Sequence, residues 1–87
     1  MNETMLTLKP DTELTEEGNR IGLMRNGQTR FAKNERQAEI LRALVKKSRS
    51  PEGLTVLLRT GEGLQSDNEN SLAIAEFILD FGEFLEA

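Results

Sequence analysis

Apolar positions along this chain change rhythm once, from alternation in the first third to helical spacing over the rest. Met5-Leu6-Thr7-Leu8-Lys9 alternates, with Leu6 and Leu8 on one side, and Pro10-Asp11 closes the run as a turn. Glu13-Leu14-Thr15 continues extended until Glu16-Glu17-Gly18-Asn19, read as a break. Arg20 to Arg25 and Gln28 to Lys33 then flank Asn26-Gly27. That dipeptide is the strongest short-range hairpin signal, because both central positions of a type I′ turn need positive φ. The register it sets puts Gly22 opposite Phe31 and Leu23 opposite Arg30. Alternation within the hairpin does not single out one buried face.

Three helices follow. Asn34 can cap the first, with Gln37 three residues on in capping-box position. Ile40, Leu41, Leu44 and Val45 recur at helical spacing, while Glu39, Arg42 and Lys46 share the other face. Ser50-Pro51-Glu52 opens a short second helix, with proline where its missing N–H costs nothing. Leu54, Leu57 and Leu58 form its core side, and Thr60-Gly61-Glu62-Gly63 stops it. Ser66-Asp67-Asn68-Glu69 is a second capping box, starting a helix that runs to about Phe81. Gly82 is its expected stop, with Glu83-Phe84-Leu85 as an apolar tail over the core. The fold class expected is α+β, winged-helix-like: three N-terminal β-strands followed by a three-helix bundle, residues 1–87 as a single domain.

On a wheel of 100° per residue, Ile74, Phe77, Ile78 and Phe81 of the third helix fall in one stripe, assigned to the core. Glu76, Asp80 and Glu83 form the solvent face. Leu72, Ala75 and Leu79 make a second apolar stripe, widening the apolar arc to about 200°, beyond what a one-sided surface helix needs. Two readings of that excess stay open. The stripe packs against the first strand or first helix, or it walls a groove that a peptide occupies.

Composition narrows the chemistry. The chain has 87 residues with no Cys and no His, which removes disulfides, thiolate metal sites and the commonest general base together. No paired carboxylates sit in a pattern that suggests a desolvated pocket, and Gly61-Glu62-Gly63 is too short and too acidic to cradle phosphate. An enzyme is therefore not expected, nor a cofactor or a metal. No apolar run approaches the ~20 residues of a membrane span, and Met1 to Met5 lacks the features of a signal peptide. The chain reads as cytoplasmic. Residues 1–59 carry all eleven Lys and Arg against eight acids, whereas residues 60–87 carry seven acids and no base. The split predicts two surfaces of opposite sign. It also argues against nucleic acid, because a helix-turn-helix reading would place the acidic third helix on the phosphates.

The order of elements and four stretches resemble the PqqD-like peptide-recognition domains, which bind precursor peptides of ribosomally made, post-translationally modified products. Leu8-Lys9-Pro10-Asp11-Thr12-Glu13-Leu14 is similar to the family's opening, and Thr29-Arg30-Phe31-Ala32-Lys33-Asn34 resembles its third strand. Ala38-Glu39-Ile40-Leu41-Arg42-Ala43-Leu44 resembles its first-helix core, and Ile74 through Phe81 with Gly82 and an apolar ending its final helix and tail. Two departures stand out: Lys33 replaces an apolar residue before the Asn, and the loop over 60–65 lacks an aromatic-Gly pattern. The resemblance implies a leader peptide that adds as a strand to the third strand, lies against the last helix, and is presented to a modifying enzyme, for which the resemblance suggests a radical-SAM-type one. The residues it points to are Thr29, Arg30, Phe31, Ala32 and Lys33 on the docking edge. Leu72, Ala75, Glu76 and Leu79 complete the set on the helix wall. Arg20, Arg25, Arg30 and Lys33 either pair with acidic side chains of the peptide or guard the strand edges against aggregation. The rival readings are a winged-helix DNA-binding protein and a dimerising regulatory protein.

Overall fold

The computed structural model describes residues 5–61 and 66–86. Three antiparallel strands, β1 (Glu13–Glu17), β2 (Arg20–Arg25) and β3 (Gln28–Phe31), precede three helices, α1 (Glu35–Lys46), α2 (Pro51–Arg59) and α3 (Asp67–Asp80), and a 3₁₀ turn over Gly82–Phe84. The fold is α+β, as expected. The sheet runs in the order β1-β2-β3, so β3 is an edge strand.

Local chemistry accounts for most boundaries. Asn26 and Gly27 take φ of 53° and 81°, as a type I′ turn requires. The register places Gly22 against Phe31 and Leu23 against Arg30. Gly22 is obligatory there, since a Cβ on it would stand 2.8 Å from the Phe31 Cα and closer still to the Arg30 carbonyl oxygen. Each helix starts on a side-chain cap: Asn34 accepts from the Gln37 N–H, Ser50 from Gly53 and Ser66 from Glu69.

The beginning of the sheet departs from the sequence reading. Glu16 and Glu17 lie inside β1, and the break reduces to Gly18-Asn19, a two-residue turn with Gly18 at φ 63°. Met5 to Lys9, despite its alternation, joins no named strand. Leu6 pairs in an isolated bridge with Arg49, and Leu8 with Leu85. The segment is thus clamped between the α1–α2 connection and the C-terminal tail, where Leu6 is buried as part of the core. Gly82 also differs: it takes no left-handed φ and simply begins the 3₁₀ turn. Of the stop expected over 60–63, Glu62 and Gly63 lie outside the described residues, as does most of the loop over 60–65.

The core joins Leu23 of the sheet to Ile40 and Leu41 of α1, Leu54 and Leu58 of α2, and Phe77 and Phe81 of α3. Phe77 and Phe81 stack with centroids 4.7 Å apart, and Phe84 tilts against Phe81 at 6.1 Å. The tail over Phe84 and Leu85 is buried, as its composition implied. Two apolar residues expected with the core are exposed instead, Val45 of α1 and Ile78 of α3. In α3 the buried arc runs through Asn70, Ala73, Ile74 and Phe77, which turns Ile78 to the flank.

Candidate groove at the sheet edge

Immediately after β3 the N–H of Ala32 donates to the Ile21 carbonyl, 2.8 Å away. Antiparallel pairing alternates, so Gln28, Arg30 and Ala32 spend their backbone groups on β2 while Thr29 and Phe31 turn theirs outward. Lys33 would be the next outward residue, but its N–H is already accepted by the Gln37 Oε1 at 3.0 Å. The free edge is therefore two residues, Thr29 and Phe31, shorter than the Thr29-to-Lys33 stretch inferred from sequence.

Gln37 is the pivot of this region and is fully buried. Its backbone N–H donates to the Asn34 Oδ1 at 2.9 Å, its Oε1 accepts from Lys33, and its Nε2 donates to the Asp80 Oδ2 at 2.9 Å. One side chain thereby ties the end of β3, the start of α1 and the last turn of α3. In sequence Gln37 registers only as a capping-box residue, and nothing within the chain's linear pattern signals its link to Asp80, 43 residues on.

Ion pairs span the gap between β3 and α3. The Lys33 Nζ lies 2.9 Å from the Glu76 Oε2 and 3.2 Å from the Asp80 Oδ2, and the Arg30 guanidinium 3.8 Å from Glu83. Hydrogen bonds first to Glu76 and then to Asp80 raise the Lys33 ammonium above its usual value. The Gln37 amide, followed by Lys33, holds the Asp80 carboxyl below its own. Glu76, Asp80 and Glu83, expected as the solvent face of the last helix, thus serve as its seam with the sheet. Farther along, Arg36 reaches Glu69 at 2.9 Å and the buried Asn70 at 2.8 Å, and Arg59 pairs with Asp67.

Two adjoining clefts follow the seam and share Arg30. One, of about 280 Å³, is lined by Arg30, Phe31, Lys33, Gln37, Asp80 and Phe81. The other, of about 300 Å³, is lined by Gln28, Thr29, Arg30, Glu83 and Phe84. Together they make a groove along the open edge of β3. Its far wall is the end of α3 and the 3₁₀ turn, not the stripe of Leu72, Ala75 and Leu79. Those three residues do project to solvent, with Leu72 64% and Leu79 83% exposed, so they do not belong to the core. They lie one row outside the groove, beyond Glu76. Sequence reasoning therefore found the bare apolar face and missed Gln37, Asp80, Phe81, Glu83 and Phe84 as lining, because helix rotation about its own axis is set by tertiary packing. Ala32 is half-buried against the core, and Phe31 carries the Arg20 guanidinium 4.0 Å above its ring.

The pairing also redistributes charge. Asp67, Glu69, Glu76, Asp80 and Glu83 are all engaged by bases from the first two-thirds of the chain, so the sequence split does not become an acidic face opposite a basic one. Among the described residues the acids left without an ion pair include Asp11, Glu13, Glu16 and Glu17 at β1, and the bases include Lys46, Lys47 and Arg49. No protein-family model, curated protein or solved structure matches this chain.

Proposed function

We propose that this chain is a non-catalytic peptide-recognition module that captures an extended segment by β-strand addition. The observation that carries the reading is the pair of outward-facing residues, Thr29 and Phe31, at an open sheet edge bordered by a groove. An incoming strand would exchange backbone hydrogen bonds with that edge, while alternate side chains enter the two clefts and supply selectivity. Lys33 and Arg30 sit where they can transfer from Glu76, Asp80 and Glu83 to acidic side chains on the peptide, which sets register more than affinity. Leu72, Ala75 and Leu79 offer a further apolar contact to whatever extends past the groove. By its resemblance to the PqqD-like domains, the ligand is the leader segment of a ribosomal precursor peptide, and the recipient is a peptide-modifying enzyme.

Titration of isotope-labelled protein with a candidate leader peptide, and separately with a short DNA duplex, tests this. Amide shifts confined to residues 28–33 and 76–85 with peptide and absent with DNA are expected. Salt-sensitive shifts along residues 20–33 with DNA alone would transfer the function to nucleic acid.

A further inference from the structure

At one end of the groove the free edge of β3 stops short. Thr29 and Phe31 turn their backbone N–H and C=O groups outward, and Lys33 is next in that alternation. The Lys33 N–H, however, is accepted by the Gln37 Oε1 at 3.0 Å. That is the bond a third residue of an added strand would make, so the amide oxygen stands where the incoming carbonyl would have to be. Gln37 is also held against displacement. It is fully buried, its backbone N–H is fixed on the Asn34 Oδ1 and its Nε2 on the Asp80 Oδ2, each at 2.9 Å. Moving the Oε1 aside would leave a buried acceptor unmatched, a larger loss than a change of partner at the Lys33 N–H returns. At the same end the Lys33 side chain crosses to α3, with its Nζ 2.9 Å from Glu76 and 3.2 Å from Asp80.

We infer that Gln37 is a register stop, which ends strand addition at Phe31 and so defines the segment that the edge accepts. The inference rests on the peptide-recognition reading and specifies its ligand. A captured segment pairs with Thr29 and Phe31 only. Each of those residues offers one N–H and one C=O, so the segment needs two N–H donors, on residues two apart, whichever direction it runs. Leu23, opposite Arg30, is buried on the helix side of the sheet, and cross-strand neighbours share a face. The segment's residue beside Arg30 therefore points into the groove, where both clefts include Arg30. Proline is excluded at the two donor positions and admitted on either side of them. The ligand class is a short extended segment that leaves the sheet after Phe31 and does not lengthen the pairing toward Asn34.

Hydrogen exchange on the full isotope-labelled chain tests the stop first without a ligand. The Lys33 amide should be protected at least about tenfold over those of Thr29 and Phe31. Gln37→Met, similar in length but with no amide, should remove that difference. The probe for the edge is a random library of short peptides, selected on the full chain and kept where a binder protects the Thr29 and Phe31 amides. A backbone N-methyl scan of such a binder deletes one N–H at a time and keeps every side chain. Two positions, two residues apart, should each lose at least about tenfold in affinity, and the position facing Lys33 less than about threefold. On Gln37→Met a third sensitive position should appear, with the Lys33 amide newly protected by the peptide. Lys33→Met, which leaves its N–H on Gln37, should keep the pattern of two. A third sensitive position on the unaltered chain would overturn the stop and leave strand addition standing. So would a Lys33 amide that exchanges as fast as Phe31 in the free chain, or a third position opened by Lys33→Met and not by Gln37→Met. If no binder protects Thr29 and Phe31, strand addition falls and the stop falls with it. The measurements on the unaltered chain decide the matter even where Gln37→Met folds poorly.

Discussion

Helices α1 and α3 are both apolar around more than half their circumference, yet they use that surface differently. α1 sits between the sheet and the other two helices and buries residues on most sides, Gln37, Ala38, Ile40, Leu41, Ala43 and Leu44 among them. α3 packs on one side only, through Asn70, Ala73, Ile74 and Phe77, and leaves Leu72 and Leu79 in solvent directly opposite. Two helices that are each apolar over more than half their circumference thus end with one absorbed into the core and one half bare. An apolar arc measures how much surface a helix could bury, and position in the fold decides how much it does. Where the two differ, as on α3, the surplus marks a surface free for contact.

Core deletion gives the sharpest way to break the comparison. Phe77→Ala should cost about 3–5 kcal/mol, as expected for a large fully buried ring. Chemical denaturation measures it, and a loss below 1 kcal/mol (roughly the value for a surface site) would mean α3 is not anchored on that face. Gly22→Ala comes next. Its Cβ meets backbone and not a yielding side chain, so about 1–3 kcal/mol should be lost, with amide shifts spreading along β3.

Asn34→Ala should cost about 1 kcal/mol by freeing the Gln37 N–H, and should disturb Lys33 and Asp80 through the same amide. The seam titrates with a definite sign. Asp80 and Asp67 have folded values below the ordinary 3.8, so the stability they contribute is complete above that value and fades as pH falls through the lowered ones. Asp67 is half exposed and Asp80 about a third exposed, so solvent screens both and the effect is small. In urea titrations from pH 5 downward, Asp80→Asn should flatten this acid limb, and an unchanged slope would remove Asp80 from the seam. Smallest of all in stability is Leu79→Asp, expected within about 0.5 kcal/mol of wild type. If that variant unfolds, the outer face of α3 is not bare.

The features legible in the sequence are those whose causes lie within a few residues. Asn26-Gly27 set its turn and register, and Asn34, Ser50 and Ser66 set the helix starts, because each acts through hydrogen bonds to residues two or three positions away. The leucines of α1 and α2 reported their inner faces by spacing, Val45 excepted. The groove was half legible. Its edge strand could be placed, but the two outward residues could be told from the other three only once Ala32 was seen bonded to Ile21 and Lys33 to Gln37. The far wall was misassigned, because the second stripe on α3 was visible and its distance from β3 was not.

Sequence alone determined the kinds of elements, their order, most of their ends and the existence of an unspent apolar face. Tertiary structure decided which way α3 is turned, that Met5 to Lys9 is a clamp and not a strand, and which charges cancel. The physical reason is range. Turns, caps and periodicity are settled by contacts between near neighbours in the chain, whereas Gln37 with Asp80, Lys33 with Glu76 and Leu8 with Leu85 are partners more than forty residues apart, brought together only when the core closes.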